Sequence, residues 1–339
     1  MITLKDIADE AGVSIATVSN VVNGNMSRVS PENAERIRRI IKKRRYVPNS
    51  SARTLAAKSS QIIAGILLGG RGDNMLSDPY SAEFFGELVR AVQDRGYYLM
   101  IRYVNNYEEV IQSLRSWNVD GAVFIGTSDA YIKKIHEEIE IPLIFTDCYT
   151  TQQKINNVGI NDFQGGVLAA EYFLKNGHRK PGFVGYTIRE QGKSVVSERL
   201  NGFLSVFRSH GIELGKERIF YVPGDSEEII LEIATRLAAA KGRITGVFTS
   251  ADRLAFVLTK ALAEQGMGVP EDISIIGFDD LSITAQFMPK LTTIRQNISR
   301  KVQIATDLLF RQIEGDTTPP LNTLLDVELV ERGSVKALI

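Results

Sequence analysis

The chain has 339 residues, of which 44% are hydrophobic and 24% are charged. This composition excludes a disordered chain, and the length supports two or three folded domains. The longest apolar run, Ile62–Leu68, has the length of a strand rather than of a membrane span. A single cysteine, Cys148, excludes an internal disulfide framework, and the N-terminus lacks an apolar signal core. We therefore expect a cytoplasmic protein with no membrane partner.

The formal net charge of zero conceals a division along the chain. Residues 1–60 carry 11 basic and 5 acidic side chains, whereas the remaining residues carry 29 basic and 35 acidic ones. A basic N-terminal segment followed by an acidic body indicates a polyanionic partner for that segment. The alternative is a solvated helix face, which the run Arg36–Arg45 would fit equally well on its own.

The first sixty residues predict four short helices, three of which have clear start signals. Thr3, followed three residues later by Asp6, is typical of a helix N-cap, and Gly12 ends that helix. Ser14 is placed to cap the second helix. The pair Ser30–Pro31 provides an N-cap and a first-position proline for the third.

The fourth helical candidate is Asn49–Lys58, which follows Pro48. It is rich in alanine but contains few apolar residues that would anchor it to a core. An isolated helix of this length is marginal in water, so this segment is expected to need a partner in order to be helical.

From Gln61 onward, apolar runs of strand length alternate with helical patterns. The predicted strands are Ile62–Leu68, Tyr98–Tyr103, Gly121–Ile125, Pro142–Thr146, Gly182–Gly185, Ile219–Val222, Gly246–Thr249 and Ser274–Gly277. The predicted helices are Ala82–Arg95, Tyr107–Ser116, Gln164–Asn176, Val195–His210, Ser226–Ala240 and Arg253–Gln265. This alternation predicts a doubly wound α/β architecture, and the number of strands favours two parallel sheets over one. The segments Leu291–Ile294, Ile298–Ile313 and Leu324–Val330 break the rhythm and are expected to cross between two lobes.

Two helices joined by a glycine turn, from Leu4 to Asn23, form the first functional pattern. Such a pair can place its second helix in the major groove of DNA. The outer face of that helix carries small or polar uncharged side chains, which suit hydrogen bonds and methyl contacts with base edges. The alternative is an ordinary helical hairpin buried against the body.

Several motifs resemble the lactose-repressor (LacI/GalR) family of bacterial transcription regulators over the whole chain. They are TLKDIADEAGVSIATVSNVVNG, RVSPENAERI, YVPNSSARTLAAK, DPYSAEFFGELVRAVQDRGY, NDFQGG, SERLNGF, ISIIGFDD and PKLTTIRQ. The resemblance implies an all-α helix-turn-helix domain at 1–48 and a hinge helix and linker at 49–60. It further implies an α/β periplasmic-binding-protein-like (type I) body of two doubly wound lobes at 61–339, for effector binding and dimerisation. We place lobe 1 at about 61–160 plus 290–320, and lobe 2 at about 161–289 plus 321–339.

The resemblance also implies which residues contact DNA. Ile15 and Ala16 match base-reading positions, and Asn20 stands where many members have arginine, so the operator sequence of other members cannot be transferred. Leu55 matches a wedge that enters the minor groove between base pairs; a linker leucine packed on the body is the alternative. The full predicted set is Thr3, Lys5, Ser14, Ile15, Ala16, Thr17, Ser19, Asn20, Asn23, Arg28, Tyr46, Asn49, Ala52, Arg53 and Leu55.

Candidate effector-binding residues lie near strand ends, where open α/β sheets bind ligands. Carboxylates and a guanidinium suit bidentate bonds with sugar hydroxyls or an anionic group, and aromatic rings can stack on a sugar. Ala251 stands where many members have a ligand-binding asparagine, which implies a different ligand or one contact fewer. Alternatives are that Asp147 caps a loop and that Asp280 caps the following helix. The predicted set is Tyr80, Phe84, Asp147, Phe163, Arg199, Ala251, Asp252 and Asp279.

Together these patterns predict a sequence-specific, DNA-binding transcription regulator, in the form of a repressor of carbohydrate uptake or catabolic genes. Its partners would be double-stranded operator DNA, a small sugar-like effector and a second copy in a homodimer. No Walker loop is present and the three histidines are scattered, so we predict no enzyme, metal or cofactor. The alternatives are a solute-binding protein without DNA function and a regulator controlled by a protein corepressor.

Overall fold

The computed structural model describes residues 2–46, 59–68, 75–150, 155–187, 193–224, 226–319 and 321–338. The chain divides into two compact units, Met1–Ser60 and Gln61–Ile339. Within the described ranges, no helix combines the length and the apolar character needed to cross a membrane.

Within residues 2–46, the N-terminal unit contains three helices, α1 (Leu4–Ala11), α2 (Ile15–Val22) and α3 (Pro31–Arg44), with a 3-10 turn at Met26–Arg28. Each helix begins at the predicted cap: the side chains of Thr3, Ser14 and Ser30 accept hydrogen bonds from the first-turn backbone. Apolar residues from all three helices then share one small core, namely Ile7, Ala8, Ala11, Val18, Val21, Ala34, Ile37 and Ile40. The predicted fourth helix and hinge, with Asn49, Ala52, Arg53 and Leu55, lie outside the described residues.

The described part of the larger unit contains two six-stranded sheets. The first has the order β11-β5-β4-β3-β1-β2, with β1 Ile62–Leu68, β2 Tyr98–Val104, β3 Gly121–Ile125, β4 Leu143–Thr146, β5 Asn156–Ile160 and β11 Asn322–Leu325. The second has the order β12-β10-β9-β8-β6-β7, with β6 Pro181–Tyr186, β7 Ile219–Val222, β8 Gly246–Thr249, β9 Ser274–Asp279, β10 Thr292–Arg295 and β12 Glu328–Val330. All the pairings are parallel except that of β10 with β12, so the carboxyl ends of most strands share one edge of each sheet.

Helices cover both faces of each sheet and give the two-lobed, doubly wound body that the alternation predicts. They are α4 (Pro79–Gln93), α5 (Tyr107–Ser116), α6 (Asp129–Glu138), α7 (Asp162–Lys175), α8 (Val195–Ser209), α9 (Glu227–Ala239), α10 (Asp252–Glu264) and α11 (Ile298–Ile313). In the first lobe, α4 and α11 pack on one face and α5 and α6 on the other. In the second lobe, α7 and α8 pack opposite α9 and α10. The sequence patterns missed α6 and β5, which are short.

The predicted lobe boundaries need two corrections. Strand β10 pairs with β9 in the second sheet, although it was assigned to lobe 1, and β11 pairs with β5 in the first sheet, although it was assigned to lobe 2. The chain therefore passes between the sheets after β5, after β10 and between β11 and β12. An apolar strand has the same residue pattern whichever sheet it joins, so the pattern alone does not fix the lobe.

Candidate functional site

Two strand-end carboxylates mark the carboxyl edges of the two sheets. Asp147 directly follows β4 in the first lobe, and Asp279 ends β9 in the second. Both have positive φ angles, 55° and 119°, which are unfavourable for residues other than glycine. Such strained residues cluster at functional sites, and the carboxyl ends of parallel strands are where α/β sheets bind ligands.

On the first-lobe side, the Lys301 ammonium of α11 is completely buried. It donates to Asp147 Oδ1 at 2.5 Å, to Gln296 Oε1 at 2.6 Å and to the Tyr80 hydroxyl at 3.1 Å. The Tyr80 hydroxyl in turn donates to Asp147 Oδ2. A buried ammonium is tolerated here because all three of its protons reach acceptors, one of them charged.

On the second-lobe side, the buried Arg199 guanidinium is the central cation, as the Lys301 ammonium is on the first-lobe side. Its Nε donates to Asp162 Oδ1 at 2.8 Å, and Nη1 lies 3.7 Å from Asp279 Oδ1. The guanidinium also lies over the Phe278 ring, 3.4 Å from the centroid. The Tyr149 hydroxyl donates to the second Asp162 oxygen at 2.7 Å. Charged hydrogen bonds and the ring face together compensate for removing the guanidinium from water.

Close packing of α7 against α8 positions this pair. A Cβ at Gly166 would lie 2.0 Å from the Arg199 carbonyl oxygen, and one at Gly202 would lie 1.9 Å from the Phe163 carbonyl oxygen. Glycine at both points therefore lets the two backbones touch, which brings Asp162 at the start of α7 to Arg199 on α8. The motifs NDFQGG and SERLNGF encode this contact.

Gln296 joins the two sides. Its Nε2 donates to Asp279 Oδ1 at 2.6 Å, while its Oε1 accepts from Lys301. One continuous set of buried polar contacts results, here named the cleft network: Tyr80, Asp147, Tyr149, Asp162, Arg199, Asp279, Gln296 and Lys301. It holds three carboxylates and two cations, alternating in position. Such an array offers both acceptors and donors to a ligand that carries several hydroxyl groups.

Burial perturbs the acids of this network. Desolvation raises the pKa of Asp279 to about 7, although the Arg199 charge and the Gln296 amide act in the opposite direction. Desolvation also raises the pKa of Asp162, against the Arg199 charge. Burial and the nearby Asp147 carboxylate raise the pKa of the Tyr80 hydroxyl, which therefore stays protonated as a donor. Perturbed groups gathered in one cleft are typical of a functional site.

The raised pKa of Asp279 predicts a pH-dependent stability. In the unfolded chain this carboxyl loses its proton near pH 4, whereas in the folded protein it keeps the proton up to about pH 7. Between these values the folded state binds more protons, so stability falls as pH rises from about 4 to about 7, by at most about 1.4 kcal/mol per pH unit from this group. Asp279→Asn should flatten the decline measured by urea unfolding from pH 5 to 7; an unchanged slope would contradict this.

The structure brings together four of the predicted effector residues, Tyr80, Asp147, Arg199 and Asp279. Asp147 does not cap a loop, because both of its oxygens accept hydrogen bonds within the cleft network.

Two other predicted effector residues differ from expectation, and a third, Ala251, is expected to lack the contact that an asparagine would make there. Phe84 is fully buried in the first-lobe core, because its position on α4 faces the sheet. Asp252 is also buried, and its carboxylate accepts from the Leu281 backbone and the Thr293 hydroxyl, which gives it a structural role. Ala251 is the N-cap residue of α10 and provides no side-chain cap.

Two further predicted positions also have defined surroundings. Phe163 is 40% exposed on the first turn of α7. Asp280 does not cap the next helix as expected; it pairs with Arg295 and Arg332 instead.

Four members of the cleft network were missed by sequence reasoning: Tyr149, Asp162, Gln296 and Lys301. Lys301 had a detectable signal, since it lies on the apolar face of α11 with Ile298, Val302 and Ala305, all of which are buried. A lysine in a buried stripe needs an anionic partner. The other three carried no such signal, because strand-end amides, hydroxyls and carboxylates also serve as ordinary caps.

In the N-terminal unit, the first turn of α2 is solvent-facing. Ile15 is 48% exposed and Ala16 is exposed, while Val18 and Val21 on the opposite face are buried. The uncharged outer face of α2 therefore lies on the surface of the N-terminal unit and not in its core. Polar and basic positions of the predicted DNA-contact set are exposed as well, namely Thr3, Lys5, Ser14, Asn23 and Arg28. Thr17, Ser19, Asn20 and Tyr46 are partly exposed.

A helix-turn-helix unit in one chain with a two-sheet α/β body and a polar cleft defines a DNA-binding regulator that senses a ligand. Residues 3–49 match the model of the bacterial regulatory proteins of the lacI family, and residues 170–335 match that of the periplasmic binding protein-like domain. The chain belongs to the lacI family and is a transcription regulator. The match includes the helix-turn-helix, which argues against the alternative of a solute-binding protein.

Similar proteins agree with this assignment over their full lengths. The ribose operon repressor of Haemophilus influenzae is 29% identical, with 100% of both chains covered. The HTH-type transcriptional repressor PurR of Actinobacillus pleuropneumoniae serotype 3 is 30% identical, covering 100% of this chain and 99% of its own. The lac repressor dimer bound to operator and an anti-inducer superposes with a TM-score of 0.86 at 25% identity, over 99% of both chains. These relatives are transcription regulators, not enzymes.

Proposed function

We propose that the protein represses transcription by binding operator DNA as a homodimer, and that a small sugar-like ligand in the cleft network changes its affinity for DNA. The observation that carries this proposal is the buried network itself, which links the carboxyl edges of both lobes through Gln296. Its place of action would be the cytoplasm, where operator DNA lies, and it would catalyse no reaction.

The charges of the cleft network favour an uncharged ligand with several hydroxyl groups. Its three carboxylates outnumber its two cations, and both cations already pair with carboxylates. A phosphate or acid group would bring a negative charge into this buried site, where both cations of the network already have a carboxylate partner, at a high electrostatic cost. A relative from Enterococcus faecium, at 25% identity and with a TM-score of 0.70 over 82% of this chain, has bound ribose. A pentose of this kind fits the proposed class.

On the DNA side, the proposal assigns base contacts to the first turn of α2. The excess of basic side chains in residues 1–60 supplies phosphate contacts. The segment 49–60 would act as the hinge helix, in which Asn49, Ala52 and Arg53 approach the minor groove and Leu55 enters it. Two copies related by a two-fold axis would require a pseudo-palindromic operator.

Ligand binding would change the relative orientation of the lobes. Besides the cleft network, α4 is tied to the second lobe because the Glu83 carboxylate accepts from the Ser282 backbone N–H at 2.7 Å and from its hydroxyl. A ligand that replaces network contacts in one lobe orientation and not in another binds these two orientations with different affinities. Such a difference is what allows a ligand to shift a conformational equilibrium and, through it, DNA affinity.

Control by a protein corepressor remains the second candidate from the sequence. A basic patch on the first lobe would favour it. On the outer faces of α4 and α11, however, the structure pairs Arg90 with Glu87, Arg95 with Asp307 and Arg311 with Asp316. Because these three arginines pair with acidic side chains, they do not form the basic patch that would favour a protein corepressor. The ion pairs therefore favour control by a small ligand.

A thermal-shift screen tests the ligand assignment. We expect one or more neutral sugars from a panel that includes ribose, other pentoses, hexoses and cellobiose to raise the melting temperature of the wild type. With the screen run at pH 8, above the pKa of Asp279, Asp279→Ala should lose that shift because it removes a charged acceptor, which is worth roughly 1.5–3 kcal/mol, or about 10- to 150-fold in affinity. DNA binding by Asp279→Ala without sugar should persist. An equal shift in the variant would contradict the assignment.

A further inference from the structure

Thr127 lies near the cleft network in the fold, but its hydroxyl makes no hydrogen bond with any residue of that network. It follows β3 by two residues, at the same carboxyl edge at which β4 ends in Asp147. The Gly126 N–H donates to the Thr146 carbonyl at 3.0 Å, and the Thr127 N–H donates to Cys148 Sγ at 3.2 Å. Its backbone therefore runs alongside the two residues that flank Asp147.

The Thr127 hydroxyl is buried and lacks a hydrogen-bond partner. The residue is only 5% exposed. Across the described ranges, Oγ1 of Thr127 is the one buried side-chain nitrogen or oxygen without a partner. Thr146 in the adjacent strand shows the usual arrangement, because it is also buried and its hydroxyl donates to the Phe124 carbonyl at 2.9 Å. Buried hydroxyls are normally bonded, so an unpaired one needs an explanation.

We propose that Thr127 is a further effector-binding residue, whose hydroxyl exchanges a hydrogen bond with a hydroxyl group of the sugar held by the cleft network. This inference rests on the function proposed above. A ligand hydroxyl fits because it can both donate and accept, as the threonine can. An ordered water is the other possible partner, and the experiment below separates the two.

The test compares three variants. Thr127→Val removes the hydroxyl with little change of shape, Thr127→Ser keeps it, and Thr146→Val removes a hydroxyl that is bonded within the protein. The probe is the neutral sugar from the panel above that most raises the melting temperature of the wild type, and its Kd is measured by calorimetry. Thr127→Val should weaken binding about fivefold to tenfold, the size expected for one neutral hydrogen bond, and Thr127→Ser should bind within about twofold of the wild type.

Stability without sugar gives a second readout. Removing an unpaired hydroxyl should leave the melting temperature unchanged or raise it, whereas Thr146→Val should lower it. An unchanged sugar Kd in Thr127→Val would overturn the inference while the proposed function stands. A melting temperature lowered as much as in Thr146→Val would also overturn it, because it would indicate that the Thr127 hydroxyl has a protein or water partner. If no neutral sugar stabilised the wild type, the proposed ligand class would fail together with the inference.

Discussion

Replacing Arg199 with alanine is expected to lower the free energy of unfolding of the larger unit by roughly 3–5 kcal/mol. The substitution removes the cation that pairs with Asp162 and lies near Asp279 while leaving both carboxylates buried. It also removes the stacking on Phe278. Urea unfolding at neutral pH, followed by circular dichroism, measures the loss.

Lys175→Ala is the matched control. Lys175 in the last turn of α7 also pairs with a carboxylate, that of Glu331, but both side chains are largely exposed. Exposed ion pairs contribute about 0–1 kcal/mol, so this variant should unfold at nearly the wild-type urea concentration. Similar losses in the two variants would show that burial does not set the contribution of Arg199, and the description of the cleft network would then be wrong.

Ile15→Glu is expected to reduce operator affinity by at least about 100-fold, or roughly 2.7 kcal/mol. The substitution places a carboxylate on the first turn of α2, where we propose that base edges and phosphates lie. Ile15 is half exposed and contributes little to the small core, so the fold should survive, as surface substitutions usually change stability by no more than about 0.5 kcal/mol. Fluorescence anisotropy with labelled operator DNA at fixed salt measures the affinity.

Ile15→Val supplies the control, because it keeps a β-branched apolar side chain at the same place. It should bind within a few-fold of the wild type. Sugar binding to the body should be the same in both variants. If Ile15→Glu bound operator normally, α2 would not be the reading helix, and the alternative of an ordinary helical hairpin would gain support.

Local features of the fold were predictable because they depend on near neighbours in sequence. The caps at Thr3, Ser14 and Ser30 require only a short polar side chain and the backbone of the next turn. The alternation of strands and helices follows from apolar runs of characteristic length. The carboxylates Asp147 and Asp279 were predictable for the same reason, since each follows or ends such a run.

Tertiary features were not predictable from these patterns. Whether β10 joins the first or the second sheet depends on which neighbour it meets in space, which its four residues do not encode. Phe84 and Tyr80 lie on the same helix, yet one is buried in the core and the other contacts Asp147. The pairing of Lys301 with Asp147 joins residues 154 positions apart. Only the folded chain shows these contacts.

The proposed function requires that one chain couple a DNA-binding unit to a sugar-binding body. The direct measurement is the Kd for promoter fragments from the protein's own genome, with and without the sugar identified by thermal shift, together with the Kd for that sugar with and without the DNA. Linkage requires that both affinities change by the same factor, which typical couplings place at about 5- to 150-fold. If the protein bound both partners and neither affinity changed, or if it bound no promoter fragment even at low salt, the account would be contradicted.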